Sequence, residues 1–188
     1  MELDACIKGR RSVRAYEERP VPKDVVEAIL EAGIWAPTGM NRQPWRFIII
    51  EDRSVIKFIS DETKKAVREM MPSMSKRSEA QEDRDWVCFN APMLILICAE
   101  TKAMAQIVPI DLIDSVLAAQ NMSLKAYDLG LGTCYMGFIH LLTRKPDVLR
   151  KAGMPEGYEL MVPLILGYPK NKQGPGKRNN PNILKWIR

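Results

Sequence analysis

The sequence predicts an α+β fold, or a loosely alternating α/β fold, in which helices pack against one central sheet. Helical and strand-like segments interleave along the chain, without the strict β–α–β alternation of a doubly wound fold. No internal repeat or low-complexity segment interrupts them. With 188 residues, of which 46% are hydrophobic and 27% charged, the chain has the size and composition of one globular domain spanning residues 1–188.

Apolar residues at helical spacing predict three helices in the first third of the chain. The first helix ends at Gly9 and the second begins at Pro22. Ser54 is expected to cap the third. Between the second and third helices, the β-branched run Phe47–Ile50 predicts a strand. The expected apolar faces of the three helices are, in order, Leu3, Cys6 and Ile7; Val25, Ile29 and Ala32; and Val55, Phe58 and Ile59.

The centre of the chain predicts a buried strand and a long helix. Residues 72–85 are polar and charged, so we expect an exposed helix or a lid there. Met93–Cys98 is apolar throughout, which is typical of a strand buried on both faces. Asp111–Leu129 has the clearest helical spacing, and Gly130 ends it. The residues that recur at spacings of three and four on this helix are Ile113, Val116, Leu117, Gln120, Leu124 and Tyr127.

Shorter elements complete the chain. Thr133–Met136 predicts a strand, and a short helix is expected to end at Gly153. Leu160–Leu166 predicts a last buried strand, in which Pro163 favours an edge position or a bulge. Residues 169–188 form a basic C-terminal extension.

Composition disfavours several classes of protein. The longest apolar run has nine residues, whereas a membrane span needs about 20. The N-terminus has no basic leader followed by an apolar stretch, so no signal peptide is expected. The four cysteines form no Cys-x-x-Cys pair, and His140 is the one histidine. The chain therefore has few of the side chains that a metal site or a catalytic triad requires. We therefore expect buried, structural thiols, no metal and a cytoplasmic location.

The basic residues are concentrated at the two ends of the chain. The net charge is +5, and no acidic residue follows Glu159. Charge alone does not choose among a solvated surface, a nucleic-acid site and a site for a phosphorylated small molecule.

Two polar segments carry candidate ligand-binding groups. Arg10, Ser12 and Arg14 would point the same way in an extended chain after the first helix. Guanidinium groups bind phosphate oxygens in bidentate pairs. Further along, Asn41 and Gln43 place two amides just before a strand, and amides offer the donors and acceptors that a heterocycle requires. Taken singly, each segment is more typical of a solvated polar loop.

Taken together, the two segments closely resemble the nitroreductase family of FMN-dependent oxidoreductases. The residues that carry the resemblance are Arg10-Arg11-Ser12-x-Arg14 and Ala36-Pro37-Thr38-x-x-Asn41-x-Gln43-Pro44-Trp45. Weaker pieces extend it over essentially the whole chain, namely Ala91-Pro92, Gly130-Leu131-Gly132-Thr133-Cys134 and Gly167-Tyr168-Pro169. The resemblance implies a central mixed, mainly antiparallel sheet flanked by helices, in an intertwined homodimer.

The resemblance also implies an FMN site with residues from both subunits. It assigns the phosphate and ribityl chain to Arg10 and Ser12 with Arg11 beside them, and the pyrimidine edge to Arg14. Backbone amides near Tyr135, Met136 and Gly137 would face the ring nitrogen that accepts hydride. The second subunit would contribute Pro37, Thr38, Gly39 and Asn41, with Gln43 close by. A lysine and an arginine close the phosphate site in the family, and the adjacent Lys177 and Arg178 leave open which one contacts it.

The activity implied by the resemblance is transfer of hydride from NAD(P)H through FMN to a small organic acceptor, such as a nitroaromatic, a quinone or an enone. The same scaffold could instead carry dehalogenation, enone reduction or flavin breakdown, because a fold does not determine a function. A non-catalytic FMN- or nucleic-acid-binding protein is the alternative from another class. Of these two binding functions, nucleic-acid binding has the weaker support, since aromatic residues make up only 7% of the chain and one phosphate site accounts for both basic ends.

Overall fold

The computed structural model describes residues 1–73, 84–100, 109–171, 173–174 and 176–188, so most of the expected lid at 72–85 lies outside the described residues. The helices are α1 (Leu3–Gly9), α2 (Lys23–Ile34), α3 (Arg53–Met70), α4 (Ile110–Asp128) and α5 (Pro146–Lys151), with a 3₁₀ helix at Gly137–Arg144. The strands are β1 (Arg46–Ile50), β2 (Met93–Glu100), β3 (Gly132–Tyr135) and β4 (Tyr158–Gly167). None of the described helices has the length and apolar character needed to cross a bilayer.

The four strands form one antiparallel sheet in the order β1–β2–β4–β3. A parallel bridge between Ser12 and Thr133 adds a short segment beside β3. The expected mixed, mainly antiparallel sheet is therefore confirmed. Because β1 and β3 are the outer strands, three strand spacings of roughly 4.8 Å separate them. The segments that precede or flank these two strands therefore lie about 14 Å apart across the sheet.

Strand β2 explains why helices cover both faces of the sheet. Its residues Leu94 and Leu96 pack toward α3, whereas Ile95 and Ile97 pack toward α2 and α4. All four side chains are fully buried, because alternate residues of a strand point to opposite faces. The predicted two-sided burial of this strand is confirmed, and the architecture is a three-layer sandwich.

Pro163 does not lie on an edge strand, so that expectation is wrong. Strand β4 runs between β2 and β3. The carbonyl of Pro163 accepts from the amide of Met136 at 3.0 Å, so its nitrogen faces the same side, where β3 has ended at Tyr135. The missing N–H therefore removes no bond of the regular ladder. Pro163 does not lie in a bulge either, since it pairs in register with Leu96 and the register of β2 against β4 shifts at Met161.

The cap of α3 is Asp52 and not Ser54. The Asp52 carboxylate accepts from the amide of Ser54 at 2.8 Å and also from the amide of Val55. A carboxylate accepts two such bonds and complements the positive end of the helix dipole. Ser54 itself donates its hydroxyl to Asp52 at 2.6 Å.

Helix α2 turns inward a face that only partly overlaps the expected one. Val26, Ile29 and Gly33 are buried, whereas Ala32 is only half-buried. A Cβ on Gly33 would lie 2.7 Å from Cγ of Met122 on α4, so the two helices pack closely where the glycine lies. Close helix packing thus decides the buried face, and apolar spacing alone does not.

Helix α4 matches its predicted extent but exposes much of its predicted face. It ends before Gly130, whose φ of 79° is the left-handed conformation typical of a helix end. The buried face consists mainly of small residues that pack against α2 and the sheet, namely Ala118, Ala119, Ser123 and Ala126, with Met122 among them. On the outer side, a group that we name the α4 stripe is 36–50% exposed: Leu112, Ile113, Val116 and Leu117.

Candidate functional site

Residues 10–14 leave α1 and run beside β3. The amide of Val13 donates to the carbonyl of Thr133 at 3.0 Å, and the Val13 side chain is buried. Ser12 and Arg14 are exposed on either side of it. This alternation is that of an extended chain, so Ser12 and Arg14 point together away from the core, as predicted.

Arg10, Ser12 and Arg14 all lie near the thiol of Cys134 on β3. Burial raises the pKa of Cys134, while the Arg14 charge, a hydrogen bond with Ser12 and the Arg10 charge each act in the opposite direction. The three polar side chains therefore act on the same part of β3. Two guanidinium groups and a hydroxyl are a donor set suited to phosphate oxygens.

Gly132 allows residues 10–14 to approach β3 this closely. A Cβ on Gly132 would lie 2.3 Å from Cγ2 of Val13 and 2.7 Å from its Cβ. No side chain fits at position 132 unless the segment moves away. The position of the Ser12 and Arg14 side chains thus depends on a glycine in the facing strand.

The end of β3 presents one backbone donor at the start of a helix. Tyr135 is half-exposed, and Met136 is buried with its amide donated to Pro163. Gly137 begins the 3₁₀ helix, where the first N–H groups have no helical acceptor. Of the three amides assigned by the resemblance, that of Met136 is engaged within the sheet, and that of Gly137 lies at the open start of a helix.

The C-terminal extension returns to the same place through Arg11. Nε of Arg11 donates to the carbonyl of Gly174 at 3.2 Å, and Nη1 of Arg11 donates to the carbonyl of Arg10 at 2.6 Å. Gly176 also lies against the Arg11 guanidinium, and the exposed Lys177 and Arg178 follow it in the chain. Arg11 therefore anchors the extension, and the cations that follow it add positive charge to this end of the molecule.

A turn beside Arg14 was not predicted from the sequence. Phe89 and Asn90 have φ of 53° and 52°, and the Asp85 carboxylate accepts from the amides of Cys88 and Asn90 at 2.9 and 3.0 Å. The Phe89 ring centroid lies 6.0 Å from the guanidinium carbon of Arg14. Since Phe rarely adopts positive φ, no residue pattern marked this turn, and only the fold reveals the contact.

The second predicted segment, residues 37–43, forms the loop between α2 and β1. The amide of Gly39 donates to both carboxylate oxygens of Asp114 on α4, at 3.3 Å each. Nε2 of Gln43 donates to Oδ1 of Asn41 at 3.1 Å. The loop thus presents its two amide side chains together, as predicted, at the beginning of α4.

Two carboxylates at the start of α4 were missed by sequence reasoning. Asp111 and Asp114 are 1% and 3% exposed, and both face the 37–43 loop. Acidic residues three apart in the first turns of a helix share a face, which is the signal that could have identified them.

The two halves of the predicted site are not brought together within one chain. The 37–43 loop contacts α4 at Asp114, whereas Gly9, just before Arg10, lies against Tyr127 at the other end of the helix. Asp114 and Tyr127 are thirteen positions apart along the helix, which is about 20 Å at 1.5 Å per residue. The loop also precedes β1, while Ser12 and Arg14 flank β3 at the opposite edge of the sheet.

Comparison with known proteins places this arrangement in a family. A family model described as the nitroreductase family matches residues 7–168. A protein of Methanothermobacter thermautotrophicus, provisionally named NADH dehydrogenase/NAD(P)H nitroreductase, is 28% identical over 189 residues, which cover 99% of this chain and 88% of that protein.

Two solved structures share the fold over nearly the whole chain. A nitroreductase with bound FMN from Bacteroides fragilis has a TM-score of 0.77 at 27% identity, covering 98% of this chain and 100% of that one. Another, also with bound FMN, from Desulfitobacterium hafniense has a TM-score of 0.83 at 24% identity and covers 100% of both chains.

Proposed function

The chain belongs to the nitroreductase family, and from this premise we propose that it is an FMN-dependent oxidoreductase that works as a homodimer. The observation that carries the proposal is the separation of the two half sites. Residues 10–14 with β3 form one half, the 37–43 loop forms the other, and about 20 Å of helix lies between them. A second copy of the chain supplies what each half lacks.

The α4 stripe supports the geometry of this dimer. Apolar side chains that remain 36–50% exposed on one helix face are typical of a surface that a partner covers. When the twofold axis is perpendicular to α4, the two copies of the helix pack antiparallel, so the start of one α4 approaches the end of the other. The 37–43 loop of each subunit then reaches residues 10–14 of its partner.

The residues present fit the chemistry of FMN. Arg10 and Ser12 offer a charged fork and a hydroxyl to the phosphate and ribityl chain, and Lys177 and Arg178 add positive charge from the C-terminal extension. The paired amides of Asn41 and Gln43 suit the alternating donors and acceptors of the isoalloxazine ring. The proposed site therefore draws on every segment that the resemblance assigns.

The protein would contribute position and electrostatics, while the cofactor carries the redox chemistry. FMN, when bound, accepts and donates two electrons, with negative charge collecting at its pyrimidine edge in the reduced form. The Arg14 guanidinium is a fixed cation for that edge, and the Gly137 amide is a backbone donor for the ring. No titrating side chain is required for this role.

We also propose an electron donor and an electron acceptor for the flavin. NAD(P)H as donor is supported by the name of the Methanothermobacter relative. We propose a small organic oxidant, such as a nitroaromatic, a quinone or an enone, as the acceptor.

An absorbance spectrum of the desalted protein, followed by anaerobic addition of NADH and then NADPH, tests the proposal directly. We expect flavin bands that bleach on addition of one or both nicotinamides. Bound flavin that never bleaches would exclude NAD(P)H as donor. A colourless protein that takes up no added FMN would overturn the proposal. The basic residues at the two ends of the chain would then belong to a nucleic-acid site or to a solvated surface.

Arg14→Ala should leave the fold intact and slow flavin reduction by a factor of about 10 or more, since a hydrogen bond to a charged group contributes roughly 1.5–3 kcal/mol. The exposed Arg14 side chain has little part in the core, so stability should change little. Stopped-flow reduction and a potentiometric titration check this. Unchanged kinetics and potential would remove Arg14 from the pyrimidine edge.

Asn41→Ala should weaken flavin retention by roughly 5- to 10-fold while the dimer persists, because one neutral hydrogen bond contributes about 1 kcal/mol. Asn41 lies in the loop and not on the α4 stripe, so association should be unaffected. Fluorescence titration with FMN measures the affinity, and sedimentation measures the mass. A variant as fully loaded with flavin as the wild type would contradict the assignment of the loop.

A further inference from the structure

The 37–43 loop holds a conformation that its own residues do not favour. Met40, Asn41 and Gln43 have φ of 55°, 53° and 47°. Positive φ is sterically costly for Met and Gln, less so for Asn, and such residues persist where surrounding contacts over-determine them. The contacts that hold this loop therefore decide whether Asn41 and Gln43 stay where a ligand could use them.

Those contacts come from the first turns of α4. Asp114 accepts the Gly39 amide with both oxygens at 3.3 Å, and Oδ1 of Asp111 accepts from Nη2 of Arg42 at 2.9 Å. A Cβ on Gly39 would lie 2.7 Å from Cδ1 of Ile110, so the loop backbone is seated directly on the helix.

Burying these two carboxylates is itself costly. Asp111 and Asp114 are the two charged residues that are buried in the part of the chain that the structure describes. A charge removed from water needs a partner to compensate its lost hydration. The partner of Asp111 is the one cation of the loop, and that of Asp114 is the loop backbone.

We propose that Asp114, assisted by Asp111 through Arg42, is a positioning residue that holds the 37–43 loop in the conformation that completes the flavin site of the partner subunit. This inference rests on the proposed function, because the loop serves a flavin only if the dimer forms that site. Asp114 contacts neither cofactor nor substrate and acts through the Gly39 amide. Its effect therefore falls on the site of the other subunit and not on that of its own.

The first test compares three variants by FMN titration. Asp114→Ala should weaken FMN binding about tenfold, the order expected when a hydrogen bond to a charged group is lost. Asp114→Asn keeps one oxygen for the Gly39 amide and should restore most of the affinity. The control is Ser115→Ala, the adjacent buried residue whose hydroxyl has no partner among the described residues, and it should match the wild type. Wild-type affinity in Asp114→Ala would overturn the proposal.

The second test determines whether Asp114→Ala impairs the flavin site of its own subunit or that of the partner. Chains carrying Asp114→Ala and Arg10→Ala are coexpressed with different tags, and the mixed dimer is isolated. If Asp114 acts on the partner, one site combines an intact Arg10 with an intact loop, and the mixed dimer should bind about one FMN with wild-type affinity. If Asp114 acts on its own subunit, or only stabilises the fold, every site is defective, and no tight binding will be recovered.

A readout without flavin separates this inference from the proposed function. Hydrogen exchange at the Gly39 amide should be faster in Asp114→Ala than in the wild type and in Ser115→Ala. Unchanged exchange would refute the positioning role whatever the FMN affinity. Faster exchange in a protein that binds no FMN, even as wild type, would refute the proposed function and with it the role of the loop in a flavin site.

Discussion

Val116→Asp is expected to convert the proposed homodimer into monomers of 21.4 kDa that have lost their flavin. Val116 lies in the α4 stripe and is 49% exposed in the single chain. A twofold interface would bury the new carboxylate twice, at a cost of several kcal/mol per charge, so the dissociation constant should rise by a factor of about 10³ or more. Sedimentation velocity gives the mass, and the ratio of flavin to protein absorbance gives the occupancy.

The matched control places the same charge elsewhere. Lys151→Asp introduces a carboxylate at an exposed position of α5, in the helical layer on the other face of the sheet. That variant should remain dimeric and yellow. The circular dichroism of Val116→Asp should also match the wild type, since the stripe is solvated in the single chain. A dimeric Val116→Asp protein with bound flavin would show that α4 is not the interface.

Gly132→Ala is expected to lower the free energy of unfolding by about 1–3 kcal/mol, the usual cost of overpacking, and to reduce FMN retention as well. The new methyl group would lie 2.3 Å from Cγ2 of Val13, so residues 10–14 must move away from β3. That movement displaces Ser12 and Arg14, which lie on either side of Val13. Urea unfolding and FMN titration measure the two effects.

The Val13→Ala substitution tests whether this contact is responsible. Alone it should destabilise the protein by leaving a small cavity, because Val13 is 3% exposed. In the double variant Val13→Ala/Gly132→Ala, the shorter side chain removes the closest contact, so the loss of stability should be smaller than the sum of the two single losses. Additive losses, as found for independent sites, would mean that the clash is not the cause.

Local patterns predicted the elements that local physics controls. The β-branched run before residue 51 and the apolar run from Met93 became β1 and β2, and the glycine at position 130 ended α4 where expected. The alternation of Ser12, Val13 and Arg14 also held. Each depends on spacing or on a backbone angle within a few residues, which the chain specifies without distant contacts.

Features that depend on distant contacts were predicted less well. Pro163 was expected at an edge or bulge, and it is tolerated in a central strand because the neighbouring strand ends beside its nitrogen. The Phe89 turn is held by a carboxylate, and the Asp114 contact joins residues 75 apart in the sequence. Neither leaves a periodic signal, since the partners come together only when the sheet and α4 have formed.

The sequence by itself determined which residues of α4 are apolar, and only the tertiary structure decided which residues of the helix pack in the core. Apolar periodicity marked Ile113, Val116 and Leu117, but these side chains are 40–50% exposed, and the small residues around Ala118 pack on the sheet instead. The hydrophobic effect has no direction, so spacing cannot distinguish a core from an interface. The same limit applies to the proposed flavin site. Its residues could be named from their order along the chain, but their separation by about 20 Å of helix, on which the proposal of a second subunit rests, is a property of the fold.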